Sequence, residues 1–391
     1  MFPTWSLRTP PRPQAVLASD PVTTVPKVLL LKEDLLLTSE LKDWEVEFPK
    51  RGGTRPYMLR IHAGRLDSWR QLASNGNPIA QLLYADCYYE GIGVEKDVAA
   101  SAHWMKLAAD QGLPTAQFCI GKDYLTGVGV AKDPKEGVRR YRLAADKGSV
   151  LAQTSLGTCY YNGIGVSKDY VLAVQWYRSA ASQNHLDAMC YLGECYYYGQ
   201  GVSVDEAEAA RWYEKAATRG SARAQSNFAG CYYSGRGLPQ NKATAVVWYE
   251  KSAAQNNEQA QYMLGSCYLS GEGVEKDLTK AAHWFQKSAE QNNVGAQHML
   301  GRCFYEGLGV TKDTSTGIEW LRKAADNGHA AAQCQLGDCL LESDPVAAFA
   351  FLLKAANQNY LSAQSAIGDC YFSGRGVKES TSDAAKWYRK C

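Results

Sequence analysis

Three residue patterns in this chain could do chemistry. The first is a glycine turn with a charged ending, GIGVEKD at 91–97, of the kind that opens a phosphate-cradling loop. The second is a set of twelve cysteines, eight of them at 87, 159, 195, 231, 267, 303, 339 and 370, which raises disulfide or metal chemistry. The third is six histidines, candidates for acid–base work. A phosphate loop needs a Gly-Lys-Ser/Thr ending, whose lysine and hydroxyl grip phosphate and its cation, and GIGVEKD has none. No G-x-S-x-G elbow and no H-E-x-x-H pair occurs either. The histidines are scattered, and His103 and His283 both precede a tryptophan as surface positions of a helix. The sequence therefore predicts no enzyme, no cofactor and no bound metal.

The glycine turn is better explained by recurrence. CYYEGIGVEKD at 87–97 returns as CYYNGIGVSKD at 159–169 and CYLSGEGVEKD at 267–277. An alanine opens a helical pattern at 80, 116, 152, 188, 224, 260, 296 and 332, 36 residues apart each time. A ninth copy opens at Ala363 after 31 residues, because the glycine turn of the eighth is cut to Glu342-Ser343-Asp344-Pro345.

Each unit reads as two helices. Ala152, Leu156, Cys159 and Tyr160 share one face of the first, at the helical period. Gly163 and Gly165 end it and make the turn, and Asp169 is the expected N-cap of the second. Ala173, Trp176, Tyr177 and Ala180 form the matching face of that second helix. Its stop is filled by Gly112, Gly148, Asn184, Gly220, Asn256, Asn292, Gly328 and Asn359. Glycine and asparagine enter the left-handed region most cheaply, so eight copies predict one backbone geometry. Position six is always Gly or Ala, which predicts a close approach of helices. A lone hairpin of this size cannot bury its apolar face, so neighbours must stack, and the fold class expected is all-α, an α-α superhelix or α-solenoid.

The pattern AQxxLGxCYYxGxGVxKDxxxAxxWYxKAAxQG resembles the Sel-one-like repeat family, relatives of the tetratricopeptide repeat with a longer turn between helices, over roughly four fifths of the chain. The resemblance implies a right-handed superhelix with first helices lining a concave face, used as a scaffold or adaptor for other proteins without catalysis. Some members serve as non-catalytic subunits in membrane-protein degradation or cell-wall synthesis. Bacterial cysteine-rich members pair a cysteine late in helix two with one early in the next helix one, and here Ala180, Ala181 and Ala188 stand in those stretches. Disulfides along the main column fail on reach, since packed helices lie about 8–10 Å apart and bridged Cα atoms within about 7 Å. No CxxC occurs, and Cys190/Cys195 and Cys334/Cys339, five apart, sit about 140° around a helix. The cysteines are expected to be small buried hydrophobes kept as thiols, with Cys391 exposed.

The organisation expected is a Pro-rich arm at 1–26, an unassigned segment at 27–64, a capping helix at 65–79 and tandem repeats over 80–391, with units at 80–115, 116–151, 152–187, 188–223, 224–259, 260–295, 296–331, 332–362 and 363–391. The chain stops at Cys391 inside the ninth unit's second helix, so either it continues or something covers that end. Arg8, Arg12 and the lack of acids before Asp20 resemble an organellar transit peptide, but prolines at 3, 10, 11 and 13 oppose its helix, and a cytoplasmic location is expected. No apolar run approaches the ~20 residues of a membrane span. With 42 basic and 40 acidic residues, the net charge of +2 argues against nucleic acid, the RNA-reading helical repeats being the rival class. The partner expected is a protein or peptide; nothing in the sequence sets an oligomeric state.

Two places stand out within the array. The face of helix one opposite its core stripe carries positions three, seven and ten, and the tenth reads Tyr89, Leu125, Tyr161, Tyr197, Tyr233, Leu269, Tyr305, Leu341 and Phe372. Such an aromatic or leucine ladder would anchor an extended peptide, or else pack repeat on repeat. Tyr262 and His298, at position three, and Arg302, at position seven, are candidates to add contacts. In the second unit the cysteine column holds Asp123 and the tryptophan column, Trp104, Trp176, Trp212, Trp248, Trp284 and Trp320 elsewhere, holds Arg140. An Asp123–Arg140 ion pair is expected there in place of a Cys/Trp contact, as compensated change or as a pocket for a charged group.

Overall fold

The structure, a computed structural model, describes residues 66–391. The expected arm at 1–26 and the segment at 27–64 lie outside the described residues. These divide into two compact units at Val204/Asp205. The first holds α1 (Leu66–Ser74), α2 (Pro78–Glu90), α3 (Val98–Asp110), α4 (Pro114–Thr126), α5 (Pro134–Asp146), α6 (Val150–Asn162), α7 (Tyr170–Ser182) and α8 (Leu186–Tyr198). The second holds α9 (Glu206–Ala217), α10 (Ala222–Ser234), α11 (Lys242–Ala253), α12 (Glu258–Ser270), α13 (Leu278–Glu290), α14 (Val294–Glu306), α15 (Thr314–Asp326), α16 (Ala330–Leu340), α17 (Pro345–Asn357), α18 (Leu361–Ser373) and α19 (Thr381–Tyr388). All regular structure among the described residues is helical, and within each unit every helix packs on the next in sequence.

Local chemistry sets the helix ends. Second helices start on a side-chain cap: Asp97, Asp133, Asp169, Asp205, Asn241, Asp277, Asp313, Asp344 and Ser380 each accept a backbone N–H of the first turn. First helices begin two residues before the alanine column, on Asn77, Ser149, His185, Ser221, Asn257, Asn293 or His329. The stop of helix two takes the left-handed geometry at all eight copies, with φ between 62° at Asn256 and Asn359 and 96° at Gly220.

The two glycines of the turn do different work. The first, as at Gly163 with φ 74°, ends helix one in the left-handed cap. The second packs repeat on repeat: a Cβ on Gly129, Gly165 or Gly201 would overlap the carbonyl oxygen of Val98, Pro134 or Tyr170, which opens the second helix one repeat earlier. In the second unit Gly237, Gly273, Gly309 and Gly376 sit on the carbonyls of Glu206, Lys242, Leu278 and Pro345 in the same way. The space a phosphate would need is filled by backbone.

Inside each repeat the small sixth position admits the large residue of helix two. A Cβ on Gly157 would lie 2.6 Å from the Tyr177 ring, and the same holds for Gly265 against Phe285 at 2.8 Å. Tyr177 and Phe285 are fully buried there with Leu156 and Leu264. The twelve cysteines are all thiols, with Cys391 exposed. Burial pushes Cys159, Cys195, Cys231 and Cys267 up to about 12, far from the reactive thiolate.

Candidate functional site

The outer face of the first helices was the candidate site, and the tenth column is where its geometry is clearest. Tyr161 and Tyr233 are half-buried, and their hydroxyls reach the residue between the two turn glycines of the next repeat. Tyr161 donates to Gln200 Oε1 in the first unit, and Tyr233 to the Glu272 carboxylate in the second. Lys242 closes the second contact, with Nζ 3.1 Å from Glu272 and 5.3 Å over the Tyr233 ring. The Tyr233 hydrogen bond, then Lys242, hold Glu272 below the usual carboxylate range, and burial with Glu272 beside it raises Tyr233. In the second and sixth repeats, where the column holds leucine, the turn residue of the next repeat is apolar: Leu125 is buried ahead of Ile164, and Leu269 and Leu308 pack against one cluster. Half of the ladder's chemistry is thus repeat-to-repeat bracing.

The remaining ring faces stay partly open. Tyr89 is 40 % exposed with Lys96 Nζ 5.6 Å from its ring, and Phe372 is 62 % exposed. Tyr197 is half-buried, edge-on to Tyr198 at 4.9 Å. Tyr305 is half-buried with its hydroxyl on the Cys339 sulfur, which raises it. Tyr262 packs on Phe285 at 5.9 Å, and burial raises it. Arg302 Nε lies 3.0 Å from Glu306. His298, Arg302 and Tyr305 share α14, while Tyr89, Tyr161 and Tyr197 belong to the first unit.

The second repeat holds a charged cluster around Arg140. Arg140, 6 % exposed at its side chain, places Nη1 2.5 Å from Asp110 and Nε 2.7 Å from Glu136. Glu136 also takes Arg139 at 2.6 Å, and these two guanidinium groups, Arg139 first, hold its carboxyl down at about 2. The charge of Arg140 is therefore answered by the end of the preceding second helix and by its own helix, one turn back. Asp123 is half-buried on α4, where its charge bears on Tyr141. Beyond the Asp123 expected from the sequence, the long Arg140 side chain thus reaches past its own hairpin to the neighbouring repeat.

Sequence reasoning also passed over the glutamine beside the alanine column. Gln153 is buried; its Nε2 donates to Ala145 O at 3.2 Å and its Oε1 accepts from Gln183 Nε2 at 2.9 Å. Gln81, Gln225, Gln261 and Gln333 repeat this with Gln111, Gln255, Gln291 and Gln358. The recurrent Ala-Gln pair was the available signal. Lys147 stands where a glutamine would answer Gln117, and its Nζ goes to Gly112 O instead, so the Gln117 Oε1 is buried with no hydrogen bond.

The Sel1 repeat is matched nine times in succession, over residues 78–113, 114–149, 150–185, 186–221, 222–257, 258–293, 294–329, 330–360 and 361–390. Among solved structures, the chain is similar to c5321, a protective antigen present in uropathogenic Escherichia coli strains displaying an SLR fold. The identity is 35 % over 93 % of this chain and 79 % of that one, with a TM-score of 0.67. A Sel1 repeat protein from Oxalobacter formigenes is 34 % identical over 74 % of this chain and 85 % of its own, with a TM-score of 0.52. Among curated proteins none matches. The helical hairpins, the 36-residue period and these neighbours make the fold an α-solenoid.

Proposed function

Because the chain belongs to the Sel1 repeat family, generally scaffolds for protein interaction, we propose that it is a non-catalytic adaptor binding a partner protein or peptide on its first helices. The observation that carries this is the tenth column. The fold spends the Tyr161 and Tyr233 hydroxyls on its own turns but leaves open ring surface on Tyr89 and Tyr197, three repeats apart in the first unit, and on Tyr305 and Phe372, two repeats apart in the second. Rigid rings with a polar tip suit a peptide that runs along such a face. The seventh position beside them changes from Lys122 to Thr158 and Glu194 in one unit, and from Gly230 to Arg302 and Asp338 in the other, which gives each step its own chemistry. The near-neutral charge favours a polypeptide over a phosphate backbone.

The test is quantitative capture of partners with Tyr89, Tyr197 or Tyr305 changed singly to Ala, circular dichroism confirming the fold. An anchor lost from the site weakens capture by about 2 kcal/mol, roughly thirtyfold. Unchanged recovery by all three variants moves the binding surface off the first helices.

A further inference from the structure

Repeat-to-repeat joints within the units are clasped by a turn glycine on a backbone carbonyl, with one exception. Gly309 fastens the seventh repeat to the sixth, and Gly376 the ninth to the eighth. The eighth repeat has Glu342-Ser343-Asp344-Pro345 in place of that turn and brings no glycine to the seventh. At this joint two imidazoles meet. His298, on α14 of the seventh repeat, stacks on His329, the N-cap of α16 in the eighth, with ring centroids 4.7 Å apart and planes 31° apart. His329 Nδ1 accepts the Ala332 N–H at 3.2 Å, so that nitrogen carries no proton. His298 Nε2 lies 3.2 Å from Gln335 Oε1 and donates to it. At the equivalent place in the first unit a hydroxyl faces the histidine, Thr154 Oγ1 at 3.1 Å from His185 Nδ1.

We propose that the joint between the seventh and eighth repeats is a pH-gated hinge, closed by the neutral His298–His329 stack where the glycine clasp is missing and opened by acid. The surroundings support closure only while both rings are neutral. Arg302 lies one turn along α14, and its own counter-charge is Glu306. α13 and α15 turn buried Phe285, Ala289, Leu321 and Ala324 inward, and α12 contributes the Tyr262 ring. α16 brings Gln335 and Cys334, with Asp338 exposed, and Tyr360 stands before α18. Burial first, then His329 and Arg302, lower His298 from 6.5 to about 3, against the pull of Gln335. A proton on His329 would in turn remove the acceptor that caps α16.

The sign follows from linkage. The closed joint binds a proton on His298 less readily than the open one, so closure is complete above the ordinary histidine value and fades as pH falls below it. The opening constant then rises about tenfold for each pH unit below roughly 6.5.

Hydrogen exchange of the full chain at pH 7.0 and 5.0, each amide corrected for its intrinsic rate, reads this directly. Protection over residues 330–336 is expected to fall more than about tenfold, while amides beside Gly309 and Gly376 keep theirs. His329→Asn, the cap residue used at Asn257 and Asn293, paired with His298→Thr, the residue at Thr154, is expected to abolish the difference. Equal loss at every joint, or none at 330–336, overturns the proposal without any substitution, as does a double variant that keeps the wild-type pH response.

Discussion

Gly165 and Gly148 are both held at positive φ, at 68° and 88°, yet they answer different demands. A Cβ on Gly148 meets nothing within 4 Å, so only the backbone angle is at stake. On Gly165 it runs into Pro134 O and within 3.0 Å of Val138 Cγ2 as well. Gly148→Ala is expected to cost about 1–2 kcal/mol, the left-handed penalty of a residue with a Cβ. Gly165→Ala adds a clash with rigid backbone and should cost clearly more, read as the difference between the two midpoints in urea denaturation. Equal midpoints would remove the clasp as an explanation of the second glycine. The need for φ > 0 at the helix-two stops was legible in the sequence, because only Gly and Asn fill that column. The clasp was not, since its partner, the Pro134 carbonyl, belongs to another repeat and leaves no mark in the sequence.

At the level of helices, periodicity within each first helix told which side was core and which was outer, and burial of Ala152, Leu156 and Cys159 agrees. What it left open was how the outer side meets the next repeat. Tyr161 was readable either as a peptide anchor or as packing, and the choice turns on Gln200, 39 residues on, which lies in a turn rather than a helix. For Arg140 the same limitation hid a further partner, because Asp110 is 30 residues away, outside the hairpin. The tyrosine brace leads to a specific expectation. Tyr233→Phe deletes one hydrogen bond to a carboxylate that Lys242 also holds, and half-burial keeps its cost to about 1 kcal/mol. In a double-mutant cycle with Glu272→Gln that cost should shrink, whereas Leu269, which braces by packing, should show no coupling to Glu272 charge. Full additivity in the cycle would mean that the hydroxyl and the carboxylate do not interact in solution.

For the molecule as a whole, stability is a sum of repeats and joints, so a change at one joint is felt by its neighbours and little further. The buried column of thiols makes this countable. Cys391 is exposed, Cys119 and Cys339 are half-buried, and the other nine are buried, one or two in every repeat but the second. With a maleimide at pH 7.5, intact-mass spectra should show one adduct at once, from Cys391, and the buried sites only as their hairpins open. Peptide mapping of the later adducts then orders the repeats by local opening. Simultaneous labelling of all twelve would instead mark a single cooperative transition. The chain thus carries a tally of its own unravelling, written in sulfur, one mark to nearly every link.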